Sequence, residues 1–126
     1  EYAKTKWDAE LFMKDLHDDN FFTVSFRPST VFGVSPRLRC DIVYNNLVAC
    51  AYTTNKIEKK SDGTPWRPVI HVRDLVDAII AGVKAPKALV FGKAYNVGIK
   101  NGNYTVKDLA TAVKNILPKC EIIFTG

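Results

Sequence analysis

Between Pro68 and Val83 the spacing of apolar residues changes without a break. Pro68 to Val72 reads as a strand, and Leu75, Val76, Ile79, Ile80 and Val83 then recur every three or four positions, as on one face of a helix. Other segments show one period or the other. Ala3, Trp7, Leu11, Phe12 and Leu16 predict an amphipathic helix from Tyr2 to about Asp19. Phe22, Val24 and Phe26 alternate with Thr23 and Ser25, predicting a buried strand that ends at Pro28. A loop carrying Gly33 and Pro36 follows. Val43, Leu47, Cys50 and Ala51 mark a second helix that fades near Asn55, and Lys56 to Lys60 reads as a short strand. Asp62-Gly63-Thr64-Pro65 is turn chemistry, Ala94 to Val97 a strand, and Asn101-Gly102 a turn. Thr105 to Asp108 resembles a capping box with Asp in place of Glu. The helix it opens carries Leu109, Val113, Ile116 and Leu117, stops at Pro118, and is followed by a strand from Glu121 to Phe124. Strands alternating with helices predict an α/β fold with at least partly parallel pairing. By periodicity, Trp7, Phe22, Phe26 and the Ile79/Ile80 stripe belong to its core.

A chain of 126 residues with 47% apolar content can bury one core, so residues 1–126 are expected to form a single domain. No apolar run approaches the ~20 residues that cross a bilayer, which makes no membrane partner and a cytoplasmic location the expectation. Cys40, Cys50 and Cys120 have no paired spacing and no clustered histidines, so they read as reduced structural thiols and no metal site is expected. The net charge of +5 comes from scattered Lys and Arg, a solvated surface rather than a nucleic-acid footprint. Residue 1 is Glu, and the sequence reads as a piece of a longer frame.

The first helix opens with EYAKTK, which places Tyr2 and Lys6 on one face. A phenol has a reference pKa of about 10, and serving as acid or base near neutrality needs a shift of about 3 units. A neighbouring cation favours the phenolate and works in that direction. His71 and Asp74, in HVRD, look like a couple, but an Asp at a helix start is favoured by the dipole and by free amides. Asn45 and Asn46 can cap a helix or face water.

In order, YAKTK, RPSTVFGVSPR, SDGTPWRPVIHVRDLVDAI and YNVG followed by a capped helix resemble the C-terminal part of the extended short-chain dehydrogenase/reductases. The likeness is greatest to the NAD-dependent epimerase/dehydratase group, which includes UDP-glucose 4-epimerase and nucleotide-sugar dehydratases. The resemblance implies the C-terminal part of an NAD(P)-binding Rossmann-like fold, with residues 1–39 ending the Rossmann-type part and 40–126 forming mainly a substrate-binding lobe. It also implies roles. Tyr2 matches the catalytic acid/base and Lys6 the residue that holds the nicotinamide ribose. The segment of Pro28, Ser29, Thr30 and Val31 passes the nicotinamide in the family, and Thr30 keeps a hydroxyl where the family often has an Asn on the sugar nucleotide. Asn46 and Leu47 match a helix start lining the nucleotide, and Arg67 an arginine that grips the diphosphate, a task suited to its planar fork.

The implied cofactor is NAD(P), the implied small-molecule partner a nucleotide sugar, and the implied reaction a Tyr-assisted hydride transfer leading to epimerisation, elimination or reduction. A dinucleotide site also needs a glycine-rich turn between a strand and a helix. Glycines 33, 63, 82, 92, 98, 102 and 126 do not make one, so the expectation is a family chain cut to less than half length, with no glycine-rich first half. The isolated chain is expected to be inactive and not to hold NAD, and to form a homo-oligomer that covers the Tyr2 helix or the Phe22–Phe26 strand. The alternative is a non-catalytic binding or assembly module derived from the family.

Overall fold

Several element boundaries have a local cause in the computed structural model, which describes residues 1–126. Helix α1 spans Tyr2–Asp15. After it, Asp18 Oδ1 accepts from the N–H groups of Asn20 and Phe21, both at 2.7 Å, and His17 Nε2 accepts from the Thr23 N–H at 3.1 Å. These bonds commit residues 18–23 to a turn. Strand β1 therefore starts only at Ser25 and runs to Pro28, so Phe22 and Val24 lie ahead of it rather than within it. β2, Thr30–Phe32, follows after the single residue Ser29, inside the stretch whose sequence reads as loop.

Helix α2, Val43–Thr54, ends where Asn55 adopts a left-handed conformation with φ of 55°. β3 is Lys56–Lys59 and β4 is Trp66–His71. Between them Asp62 Oδ1 accepts from Thr64 N–H and Oγ1–H, which closes the turn. α3, Val72–Lys84, starts directly after β4, with the His71 ring accepting from the Arg73 N–H as its cap, and Asp74 stands in its first turn. The short α4, Lys87–Val90, leads to β5, Ala94–Val97, and β6, Asn103–Thr105. Thr105 and Asp108 make the expected capping box of α5, Val106–Ile116, and β7 spans Glu121–Phe124.

The strands form three small sheets with orders β1-β5, β2-β4-β6 and β3-β7. β1 with β5, β2 with β4 and β3 with β7 are parallel, and β4 with β6 is antiparallel. The core lies where α2 and α5 meet β3 and β4: Leu47, Ala51, Ile57, Val69, Leu109, Ala110, Val113 and Cys120 form one buried cluster. Cys120 is thus packed as a structural thiol, Cys50 is half-buried and Cys40 is exposed.

The remaining expected core residues are not buried. Trp7 is 50% exposed, Phe22 37%, and Ile79 and Ile80 44% each, while Phe26 is half-buried against α3. Periodicity gives a helix an apolar face, but burial needs an opposing surface, and neither α1 nor α3 has a buried residue. No helix is long and apolar enough to cross a membrane.

Candidate functional site

The Tyr2 and Lys6 side chains do share one face of α1, with the Lys6 ammonium 5.6 Å from the centre of the Tyr2 ring. Tyr2 itself is 77% exposed. The helix is fastened over β1 by Arg27, whose Nε and Nη2 donate to the Glu10 carboxylate at 3.0 and 2.6 Å and whose guanidinium lies 5.3 Å from the Trp7 ring. The bonds from Arg27 hold the Glu10 carboxyl below its ordinary pKa and in turn raise that of Arg27. One turn therefore places the Tyr2 helix on the strand that leads to Pro28–Val31.

That segment is split between two sheets. Pro28 pairs with Val97, and Ser29 donates both its N–H and its hydroxyl to the Val97 carbonyl, at 2.9 and 3.1 Å. A Cβ on Gly98 would stand 2.7 Å from the Ser29 hydroxyl, so a larger residue there would turn that hydroxyl off the Val97 carbonyl. Thr30 and Val31 belong to β2, opposite Val69 and Ile70.

Register then assembles the proposed substrate residues. Thr30 lies opposite Val69, Phe32 opposite His71, and Arg67 opposite Tyr104. Because side chains alternate along a strand, Thr30, Phe32, Arg67, Val69, His71 and Tyr104 share one face of the β2-β4-β6 sheet. Two cavities open along it. The first, of about 470 Å³, lies between Phe32, Tyr44, Val69, Tyr104, Asp108 and Leu109. The second, of about 360 Å³, sits at the carboxyl ends of the parallel strands β2 and β4, between Phe32, Gly33, His71 and the α2 residues Tyr44, Val48 and Tyr52.

Asn46 and Leu47 line neither cavity. Leu47 is fully buried in the core, and Asn46 Oδ1 accepts from the Lys59 ammonium. Arg67 is exposed, its Nη1 donating to the Trp66 carbonyl at 3.2 Å. Asn45 acts as a staple, accepting from Gly33 N–H at 3.1 Å and donating to the Arg39 carbonyl at 3.0 Å. This shapes the loop around Gly33, whose φ is 115° and where a Cβ would stand 2.7 Å from His71 Nε2. Tyr44, Tyr104 and Asp108 are the cavity residues that the sequence did not single out for binding. Only the β4–β6 register and the packing of α5 bring them together, and neither is written in local spacing.

Helices α3 and α5 follow β4 and β6 directly, and α2 follows β2 through a loop whose single glycine is Gly33. None of these junctions offers clustered glycine amides to a pyrophosphate. No group of three or more His, Cys, Asp or Glu side chains comes within metal-binding reach.

Comparison with known proteins places this architecture. The fold is similar to that of Pal from Bacillus thuringiensis, with a TM-score of 0.81 and 20% identity over 98% of this chain and 39% of that one. It is similar also to L-threonine dehydrogenase from Phytophthora infestans, with a TM-score of 0.81 and 16% identity over 98% of this chain and 41% of that one. MoeE5, solved in complex with UDP-glucuronic acid and NAD, matches with a TM-score of 0.66 and 21% identity over 80% of this chain and 32% of its own. The chain thus spans well under half the length of these structures. The sequence model of the NAD dependent epimerase/dehydratase family matches residues 1–98. With that match over most of its length and a mixed α/β fold with parallel sheets, the chain belongs to the NAD dependent epimerase/dehydratase family.

Proposed function

We propose that the chain carries the tyrosine–lysine pair and the substrate face of an NAD-dependent enzyme that modifies nucleotide sugars. The observation that carries this reading is the shared sheet face: Thr30 and Arg67 lie on it together, bordered by an aromatic cavity. MoeE5, of similar fold, holds a UDP-sugar acid and NAD. In this reading Tyr2 takes and returns the proton of a sugar hydroxyl, with the Lys6 ammonium 5.6 Å from its ring centre. Arg67 pairs with the diphosphate, Thr30 contacts the sugar, and the backbone of Pro28, Ser29 and Val31 borders the nicotinamide. When bound, NAD supplies the hydride acceptor. Because the chain offers no clustered glycine amides, these 126 residues alone neither hold NAD nor turn over substrate.

Calorimetry with nucleoside diphosphates on the native chain and on Arg67→Ala tests the substrate face. Binding should be weak, should fall as salt rises, and should be lost in the variant; equal affinities would remove Arg67 from the site. Joining the chain to the glycine-rich half of a solved relative should restore NAD binding and turnover. In that chimera Tyr2→Phe should abolish turnover and leave NAD bound.

The exposed apolar faces of α1 and α3 favour a second reading, in which the chain is a binding or assembly module and associates with a second copy through α1. Light scattering over a wide concentration range checks this, since a monomer throughout would exclude it.

A further inference from the structure

We propose that His17 is a proton-sensitive latch: with a neutral ring it ties the end of α1 to the turn between α4 and β5, and protonation of the ring releases that joint. Three segments meet at this side chain. His17 follows α1, Thr23 leads into β1, and Phe91 to Lys93 join α4 to β5. The half-buried ring packs edge to face on Phe91, with centres 5.1 Å apart. Gly92 has a φ of 61°, and a Cβ there would meet His17 Nδ1 at 3.1 Å, so the turn lies against the ring itself. The Gly92 N–H donates in turn to the Thr23 carbonyl at 3.0 Å.

The hydrogen bonds fix the charge of the ring. Nε2 accepts from the Thr23 N–H at 3.1 Å and lies 2.7 Å from the Thr23 hydroxyl oxygen, which can turn its own proton to the same nitrogen. A ring nitrogen that accepts carries no proton, so the closed turn holds a neutral imidazole with its hydrogen on Nδ1. In the imidazolium both nitrogens donate. The new Nε2–H would point at the Thr23 N–H, donor against donor, and the ring must leave that amide to use the hydroxyl alone. The charged groups on the segments packed around the ring are Lys14 and Asp15 of α1, Asp18 and Asp19 of the turn, Lys87 of α4, and Lys93. None of these carboxylates stands within ion-pair distance of the ring, and Asp19 lies 3.8 Å from the Lys87 ammonium instead.

A second lock in the same turn answers to lower pH. Asp18 Oδ1 accepts from the Asn20 and Phe21 N–H groups, and those bonds hold its carboxyl below the ordinary range. What a lowered carboxylate contributes is present above its ordinary value and is lost only as pH falls through the lowered one. A histidine ordinarily changes charge between about pH 5 and 8. Acid therefore opens the turn in two steps, at Thr23 first and at Asn20 and Phe21 later. The first step frees the far end of the helix that carries Tyr2 and Lys6, while the Arg27–Glu10 pair still holds its middle.

Nuclear magnetic resonance on the native chain, from about pH 8 down to about pH 5, tests the latch. At the alkaline end the ring nitrogen shifts of His17 should show hydrogen on Nδ1 and none on Nε2. Protection factors, with the direct effect of pH on exchange chemistry divided out, should fall at the Thr23 and Gly92 amides in step with the ring's own titration. The fall should be roughly tenfold per pH unit, the slope for uptake of one proton. Protection of Asn20 and Phe21 should hold over the same range. His17→Gln keeps an acceptor oxygen for the Thr23 amide and does not titrate, so protection of Thr23 and Gly92 should become flat with pH. His71, the other histidine, is still present in that variant and serves as its control. Hydrogen on Nε2 at the alkaline end overturns the proposal. So does native protection that is constant across the range, or an equal fall in His17→Gln. If that variant does not fold, the native chain decides, since opening of Thr23 at a pH where the ring does not titrate also overturns the latch.

Discussion

Helices α3 and α5 carry the same kind of apolar stripe and meet opposite fates. In α5, Val106, Leu109, Ala110 and Val113 are buried, because α2 and the strands β3 and β4 stand opposite. In α3 no residue is buried, and Val76, Ile79, Ile80 and Val83 remain between 44% and 82% exposed. The molecule is therefore divided energetically. One region, α2 and α5 with β3, β4 and β7, owns the apolar cluster, while the other, α1 with β1 and α3, is held together by the Arg27–Glu10 pair and Phe26 under Gly82 and meets the rest through the pairing of β1 with β5 and the packing of α3 on β2 and β4. Tyr2 and Lys6 stand on the loosely held region and Arg67, Tyr104 and Asp108 on the firm one. Under the proposed function, the tyrosine–lysine pair and the substrate face fall on different regions, and the geometry between them depends on the seam.

The comparison breaks most visibly if the core is cut. Leu47→Ala or Ile57→Ala removes a fully buried side chain and should cost about 2–5 kcal/mol of unfolding free energy. Ile79→Ala should cost less than about 1 kcal/mol, since its side chain is already half in water. Urea titrations of the variants give both values, and equal losses would mean that Ile79 on α3 is as buried as Leu47 on α2 or Ile57 on β3.

Gly33 tests the seam itself, because it joins β2 to the loop that Asn45 staples to α2. With φ at 115° and His71 Nε2 standing 2.7 Å from any added Cβ, Gly33→Ala should destabilise by about 1–3 kcal/mol. Thermal unfolding measures it, and a neutral result would show that the loop relaxes without strain.

The smallest effect should separate the two regions by pH. Hydrogen bonds from Arg27 lower the pKa of Glu10, and those from Thr105 lower that of Asp108. A carboxylate with a lowered folded-state pKa contributes stability that is present above its ordinary value and is lost as pH falls through the lowered one. Acid should therefore release α1 first, since the Glu10 pair holds a helix with no buried residue, whereas α5 keeps its core packing after Asp108 is protonated. Hydrogen exchange followed below the ordinary carboxylate range should show α1 amides opening ahead of α5. Glu10→Gln should leave α1 open to exchange at neutral pH as well, and unchanged α1 protection in that variant would remove the ion pair from the account.

Much of the local structure was legible in advance. The α2 stripe, the Asp62 turn and the Thr105–Asp108 box all depend on residues within a few positions of one another, and each formed as its spacing predicts. Strand β2 was not legible, since Thr30 to Phe32 is too short to show alternation and is defined by its pairing with Val69 to His71. The early end of α1 and late start of β1 trace to His17 and Asp18, whose side-chain bonds to the following backbone compete with a regular strand. At the candidate site, the roles proposed for Tyr2, Lys6, Thr30 and Arg67 rest on motif resemblance. Leu47 was named as a ligand contact from the same source and lies instead inside the core.

The helices α2, α3 and α5, the Asp62 turn, the Thr105–Asp108 cap and the spacing that unites Tyr2 with Lys6 were determined by sequence alone, because each depends on short-range geometry. Tertiary structure decided which apolar faces become core and which side chains converge. Ser25 meets Ala94 and Trp66 meets Thr105 only through pairings across long stretches of chain, and no local period encodes the partner of a strand. For the same reason the face that unites Thr30, Arg67 and Tyr104, and the cavity closed by Asp108 from α5, exist only once β2, β4 and β6 lie side by side.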